Sequence, residues 1–198
     1  MQSRKRIMNY KLRIKKENEE IVIPVVWIGK EKEINYDISL DGVGSSLIFL
    51  MLLLGEKEGK VKININVNHQ AKETKSKVII KGVINDSASV DFEGLVKIEK
   101  GSKGANAWLS ANLLLLSKTA KGRAMPALEI LENDIKAGHA TTVGKVNDQE
   151  LFYLMSRGLS KTKARDLIIQ GFLSGFLNDF PDGKIKTEAL NKLKYENI

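Results

Sequence analysis

The sequence predicts a mainly β protein, with a β-solenoid body over residues 1–145 and a small C-terminal α-helical region over 146–198. Three observations carry this. After Gly59, Val61, Ile63, Ile65 and Val67 alternate with Lys62, Asn64, Asn66 and Asn68, a strand with one buried and one polar face. Short apolar segments then follow one another, separated by Gly, Asn, Asp and Ser turns, with no helix between them. From Asn147 the apolar period lengthens to about 3.6, that of a helix.

The elements follow in order. Tyr10 to Ile14 alternates with period two, as a half-buried strand does. Ile21 to Ile28 is β-branched around Pro24, which predicts an edge strand or a bulge. Leu47 to Leu54 is an apolar run bracketed by Gly44 and Gly55, short enough to favour a strand. Beyond Val67 come Val78–Ile80, Val90–Phe92, Leu95–Ile98, Trp108–Leu109, Leu113–Leu116 and Leu128–Leu131. Such spacing suits a sandwich, a barrel or a solenoid. Two details favour the solenoid. Gly82-Val83 and Gly94-Leu95 recur twelve residues apart, as rung corners would, and Asp-Gly hairpin signals occur only outside this block, at Asp41-Gly42 and Asp182-Gly183. Between the last strand and the helices, His139 is read in a glycine-flanked turn, Gly138 to Gly144.

A first helix is expected from Gln149 to about Arg157, N-capped by Asn147 or Asp148 and stopped by Gly158. A second begins after Ser160 and ends near Phe180, before Pro181. It carries two apolar stripes. Ala164, Leu167, Ile168, Gly171, Phe172 and Gly175 form one, and Ile169, Leu173, Phe176, Leu177 and Phe180 the other. One stripe suffices to dock a helix on its own body, so two predict either burial against a tail helix, Glu188 to Tyr195, or a partner-binding face.

Composition narrows the function. The chain contains no cysteine, which excludes disulfides, a thiolate nucleophile and any Cys-ligated metal site built from this chain alone. The net charge of +8 points toward an anionic partner, but Arg4, Lys5, Arg6, Lys11, Arg13, Lys15 and Lys16 concentrate it in the first sixteen residues. The longest apolar run is far below the roughly 20 residues needed to span a bilayer, and no secretory signal is present. A cytoplasmic protein without a membrane partner is expected.

There is no G-x-x-x-x-G-K-[ST] loop, so an ATP-driven step must belong to another protein. Gly101 to Gly104 reads as a surface turn, and no G-x-S-x-G elbow is present. Glu129, Glu132 and Asp134 supply carboxylates, but nothing selects two of them as an acid pair. His69 reads as a surface or turn histidine. Small neighbours leave the ring of His139 accessible, so it reads either as a structural histidine, the commoner case for a lone one, or as one for metal or acid–base work.

These residues also carry a resemblance. Lys118 to Gly122, Pro126-Ala127-Leu128-Glu129-Ile130, Asn133 to Gly144 and Asp148 to Leu159 resemble the SufB/SufD family, as do Ala164, Asp166 and Leu167 to Phe172. Gly94 to Ile98 and Ala111 to Leu115 fit it too, whereas residues 1–60 match poorly. The resemblance implies a right-handed parallel β-helix with C-terminal helices. It implies a scaffold in iron–sulfur cluster assembly, without catalysis of its own. The β-helix would pair with a SufB/SufD-like homologue or a second copy, and the helices would dock a SufC-like ABC ATPase. On that reading Leu151, Phe152, Tyr153, Arg157, Leu167, Ile168 and Phe172 are partner-binding. His139 corresponds to the family histidine at the subunit interface, a candidate metal ligand where a transient cluster forms, with no cofactor bound stably. The SufB-type cysteine falls near Ala120 and the following glutamate on Ala140, so the chain resembles the SufD branch or a reduced homologue. The residues alone leave two rivals: a β-solenoid carbohydrate-active enzyme, and a nucleic-acid binder using the basic N-terminal arm, which lacks interleaved aromatics.

Overall fold

In a computed structural model, described over residues 7–193, strands alternate between two sheets and never reverse direction between neighbours. The strands are β1 (Ile7–Ile14), β2 (Glu20–Trp27), β3 (Glu33–Leu40), β4 (Ser46–Gly55), β5 (Lys60–His69), β6 (Lys75–Ile84), β7 (Ser89–Ile98), β8 (Asn106–Leu115), β9 (Lys121–Ile130) and β10 (Lys136–Lys145). The odd strands form one parallel sheet in the order β1-β3-β5-β7-β9, and the even strands form the other in the order β10-β8-β6-β4-β2. Each coil therefore contributes one strand to each sheet, a β-solenoid of about five turns. Register advances by 26 residues per coil at the start, from Ile7 to Glu33, and by 32 near the end, from Ser89 to Lys121.

Parallel stacking places like positions in rows. Leu40, His69 and Ile98 share one inner row, and Tyr36, Ile65 and Gly94 another. Outward rows are polar on the odd-stranded sheet, where Asn35 donates to Asn9 at 2.8 Å and Asn64 donates to Asn35. Corners are set by left-handed backbone at Asn18, Gly44, Glu73 and Gly104, one per coil on the same edge. This corrects the reading of Gly82 and Gly94 as corners, for both lie inside strands on inner rows. A Cβ on Gly82 would meet Leu113 at 2.6 Å, and one on Gly94 would meet Phe92 at 2.5 Å. They are glycines because bulky neighbours fill the space a side chain would occupy.

The apolar run in β4 has a two-sided explanation. Leu47, Phe49, Met51 and Leu53 face the solenoid interior, while Leu50 and Leu52 face outward into a second apolar cluster with the helices. A strand covered on both faces loses its alternation. Pro24 lies in β2, an edge strand with unbroken pairing to β4 and no bulge. Pairs read from sequence as separate segments, such as Val90–Phe92 with Leu95–Ile98, are single ten-residue strands.

The helices are α1 (Asp148–Ser156), α2 (Lys161–Asn178) and α3 (Lys184–Leu193). Asn147 caps α1 by accepting from the amides of Gln149 and Glu150, Gly158 ends it at φ +91°, and Ser160 caps α2. The stripe of Ile169, Leu173, Phe176, Leu177 and Phe180 is buried on the even-stranded sheet, with Ala189 of α3 in the same cluster. Three polar links fasten α2 along β6. Asp179 pairs with Lys77 at 3.3 Å, the Phe172 carbonyl accepts from Lys81, and Arg165 donates to Asn85 just beyond the strand at 2.9 Å. Arg4 to Arg6 and Tyr195 lie outside the described residues.

His69 is corrected as well: it is fully buried. Its Nδ1 lies 2.8 Å from Thr74 Oγ1 and its Nε2 2.8 Å from Ser76 Oγ, while its carbonyl accepts from Ser102 Oγ at 2.9 Å. With both ring nitrogens partnered by hydroxyls and no anion beside it, burial pushes its pKa down to about 4. The ring is a neutral packing element.

Candidate functional site

His139 sits in the middle of β10 rather than in a turn, which corrects the sequence reading. Residues 136–145 form a continuous strand because small and β-branched side chains continue the rows of β8. By register His139 stacks under Leu109, Thr141 under Ala111 and Val143 under Leu113, all inner-row residues of the preceding coil. In that coil the row is buried. In the last coil it is open, with His139, Thr141 and Val143 all exposed.

The exposure follows from position, since no further coil and no helix covers this end among the described residues. Both terminal strands are sheet edges. They differ in chemistry: β9 carries Pro126 in its middle, whereas β10 has no proline over ten residues. A proline cannot donate to an added strand, so β10 is the better template for pairing. Leu131 and Ile130 lie exposed at the end of the same coil.

Gly138 has a role the sequence did not reveal. A Cβ there would lie 2.6 Å from Cζ3 of Trp108, its register partner on β8. The half-exposed indole packs on the strand one residue before His139 and leaves no room for a Cβ at Gly138. The signal is a tryptophan thirty residues upstream of a glycine, visible only once the coil length is known.

The residues expected to bind a partner on the helices separate into two groups. Phe152 is 73% exposed and Tyr153 55%, and α1 buries no residue at all. Leu167 on α2 is exposed beside them in kind, as is Met155, which the sequence reading did not single out. Arg157 is exposed, with its guanidinium 5.2 Å from the Tyr153 ring centroid. Leu151, Ile168 and Phe172 are half-buried, and Phe172 is covered by Lys81 at 4.7 Å. The first α2 stripe is thus only partly available.

The carboxylates do not form an acid pair. Glu129 is held by Lys97 at 3.3 Å. Glu132 accepts from the Gly101 and Asn133 amides, and these backbone donors push its pKa down, opposite to what a general acid needs. Among the described residues no group of three or more His, Cys, Asp or Glu side chains converges as a metal site. His139 belongs to no such group among the described residues. Ala120 is buried before β9, and Ala140 is exposed beside His139.

A family model described as SUF system FeS cluster assembly, SufBD core domain, matches residues 6–172. The iron–sulfur cluster assembly protein SufD of Bacillus subtilis is 41% identical over 126 residues, covering 64% of this chain and 29% of that protein. SufB of the same organism is 29% identical over 142 residues, covering 72% and 30%. An iron–sulfur cluster assembly SufBD family protein of Pyrococcus horikoshii is 33% identical over 161 residues, covering 81% and 33%. The chain therefore spans about a third or less of the length of these relatives. No helix among the described residues is long and apolar enough to cross a membrane.

Proposed function

Because this chain belongs to the SufBD family of SUF-system iron–sulfur cluster assembly proteins, we propose that it is a cytoplasmic, non-catalytic scaffold subunit. It pairs through its last coil with a SufB/SufD-like chain or a second copy, and its helices dock a SufC-like ABC ATPase. The observation that carries the reading is the open last coil. An exposed inner row of His139, Thr141 and Val143 and a proline-free edge strand at this end of the solenoid favour a strand-bearing partner.

Pairing there places His139 at the subunit interface. An imidazole can ligate iron or move a proton, but soft iron and sulfide call for thiolates. This chain has no cysteine, and alanines stand at 120 and 140. The thiolates therefore come from the other subunit, and the cluster is a passing substrate. Trp108 over Gly138 stiffens the strand that presents the imidazole.

The exposed aromatics of α1 suit the ATPase, since aromatic anchors dominate protein interfaces. With no phosphate loop of its own, the chain takes its driving force from that partner. Movement of the docked helices reaches the solenoid through the Lys77, Lys81 and Arg165 links along β6. The experiment is binding of the cognate ATPase to wild-type and Phe152→Asp protein. A loss of about 30-fold or more is expected for a central aromatic anchor, and unchanged binding would show that α1 is not the docking face.

A further inference from the structure

We infer that the crevice between the last coil and the helices is a binding site for a phosphate-class oxyanion. It has a volume of about 360 Å³ and lies where the ends of β8 and β10 meet the first turns of α1 and α2. Lys118, Lys145, Lys161 and Arg165 line it against a single carboxylate, Asp148. Among the described residues none of these five takes part in an ion pair, whereas cations on the odd-stranded sheet do: Lys62 with Glu93, Lys97 with Glu99 and Glu129, and Arg123 with Asp91 and Glu93.

Arg165 is the decisive group. It is half-buried, and its Nη2 donates to Asn85 Oδ1 at 2.9 Å and to the Leu116 carbonyl at 2.8 Å. Both acceptors are neutral. The guanidinium is therefore fixed in orientation while its charge stays uncompensated, and its remaining donors are free to take an anion. The first turn of α2, which supplies Lys161, carries no acid, the reverse of the usual preference at that end of a helix. Leu115, Val146 and Leu151 supply its apolar walls.

The chemistry selects the ligand class. A carboxylate offers two oxygens, whereas a phosphoryl group offers three or four around one compact charge. It can meet the planar fork of Arg165 and several ammonium groups together. The crevice has room for more than one phosphoryl group, so pyrophosphate or the end of a nucleotide fits. Bound there, the anion would bridge β10, the turn after β8 and α2, tying the strand of His139 to the helices. The inference does not depend on the partners proposed above.

Calorimetric titration of the whole chain with pyrophosphate, and separately with ADP without divalent metal, tests this at low ionic strength. Saturable one-to-one binding is expected, weakened by about tenfold or more in Lys145→Gln/Lys161→Gln, whose exposed side chains can be changed without loss of fold. Lys100→Gln/Lys136→Gln, away from the crevice, should bind as wild type. Bound ligand should also slow amide exchange between residues 146 and 151. Tighter binding of ADP than of pyrophosphate would identify a nucleotide, and equal binding a free oxyanion. The inference is overturned by absence of saturable binding, by equal weakening in both double variants, or by binding of an acidic peptide where pyrophosphate fails.

Discussion

Lowering the pH from about 7.5 to about 5 should cost the protein about 2 kcal/mol through His69 alone. The folded ring titrates at about 4 instead of the usual 6.5. In the unfolded chain it takes a proton below 6.5, so the unfolded state binds more protons throughout the window between the two values. The contribution is complete above 6.5 and declines as the pH falls through the window. It is exhausted below about 4, at about 1.4 kcal/mol per unit. The full window is thus worth about 3 kcal/mol, and about 2 kcal/mol of it is spent by pH 5. Urea denaturation of wild type and His69→Gln at both pH values isolates this contribution, because every other titrating group is common to the two proteins. The variant should be less stable at the higher pH, having lost hydrogen bonds to Thr74 and Ser76, yet about 2 kcal/mol less sensitive to acid. If both proteins lose the same stability on acidification, the neutral-ring argument is wrong.

Three further outcomes follow from the geometry. His139→Ala should fold with wild-type stability, the ring being exposed, and, on the function proposed above, fail to support cluster maturation when paired with a cysteine-bearing homologue; normal maturation would make His139 a bystander. Gly138→Ala should cost about 1–3 kcal/mol by driving a methyl group into the Trp108 ring, and denaturation in a Trp108→Ala background should show that cost removed. Leu173→Ala, at a fully buried site between α2 and the even-stranded sheet, should lower stability by about 2–5 kcal/mol, read as a shift in denaturation midpoint.

Legibility in the sequence tracked how local each cause is. Val61 to Val67 announced a strand because its alternation is local, and Asn147, Gly158 and Ser160 announced helix ends because capping involves adjacent residues. The coil length was not legible. The glycines at 82 and 94 suggested a twelve-residue period, whereas the spacing is 26 to 32 residues, set by contacts between strands far apart in the chain. β3 carries a local alternation of Ile34, Tyr36, Ile38 and Leu40, whereas β10 hid behind two glycines and a run of small residues. His69 misled because asparagines precede it, and only the fold brings Thr74, Ser76 and Ser102 around it. The aromatics of α1 were legible and are exposed, but the division of the α2 stripes was not legible, since the choice lies in the surface of β4 and β6 beneath.

The fastening of α2 along β6 makes the solenoid unevenly rigid. In a stack of coils each layer is stabilised only by its neighbours, so a terminal layer frays more readily than an interior one. α2 acts as a splint on the middle of that stack, with its links at Lys77, Lys81 and Asn85, while β9 and β10 remain beyond its buried contacts. Amide exchange should therefore be slowest in β4 and β6 and faster in β10. A second chain laid against β10 would supply the missing neighbour, so assembly and ordering of the His139 coil would be one event.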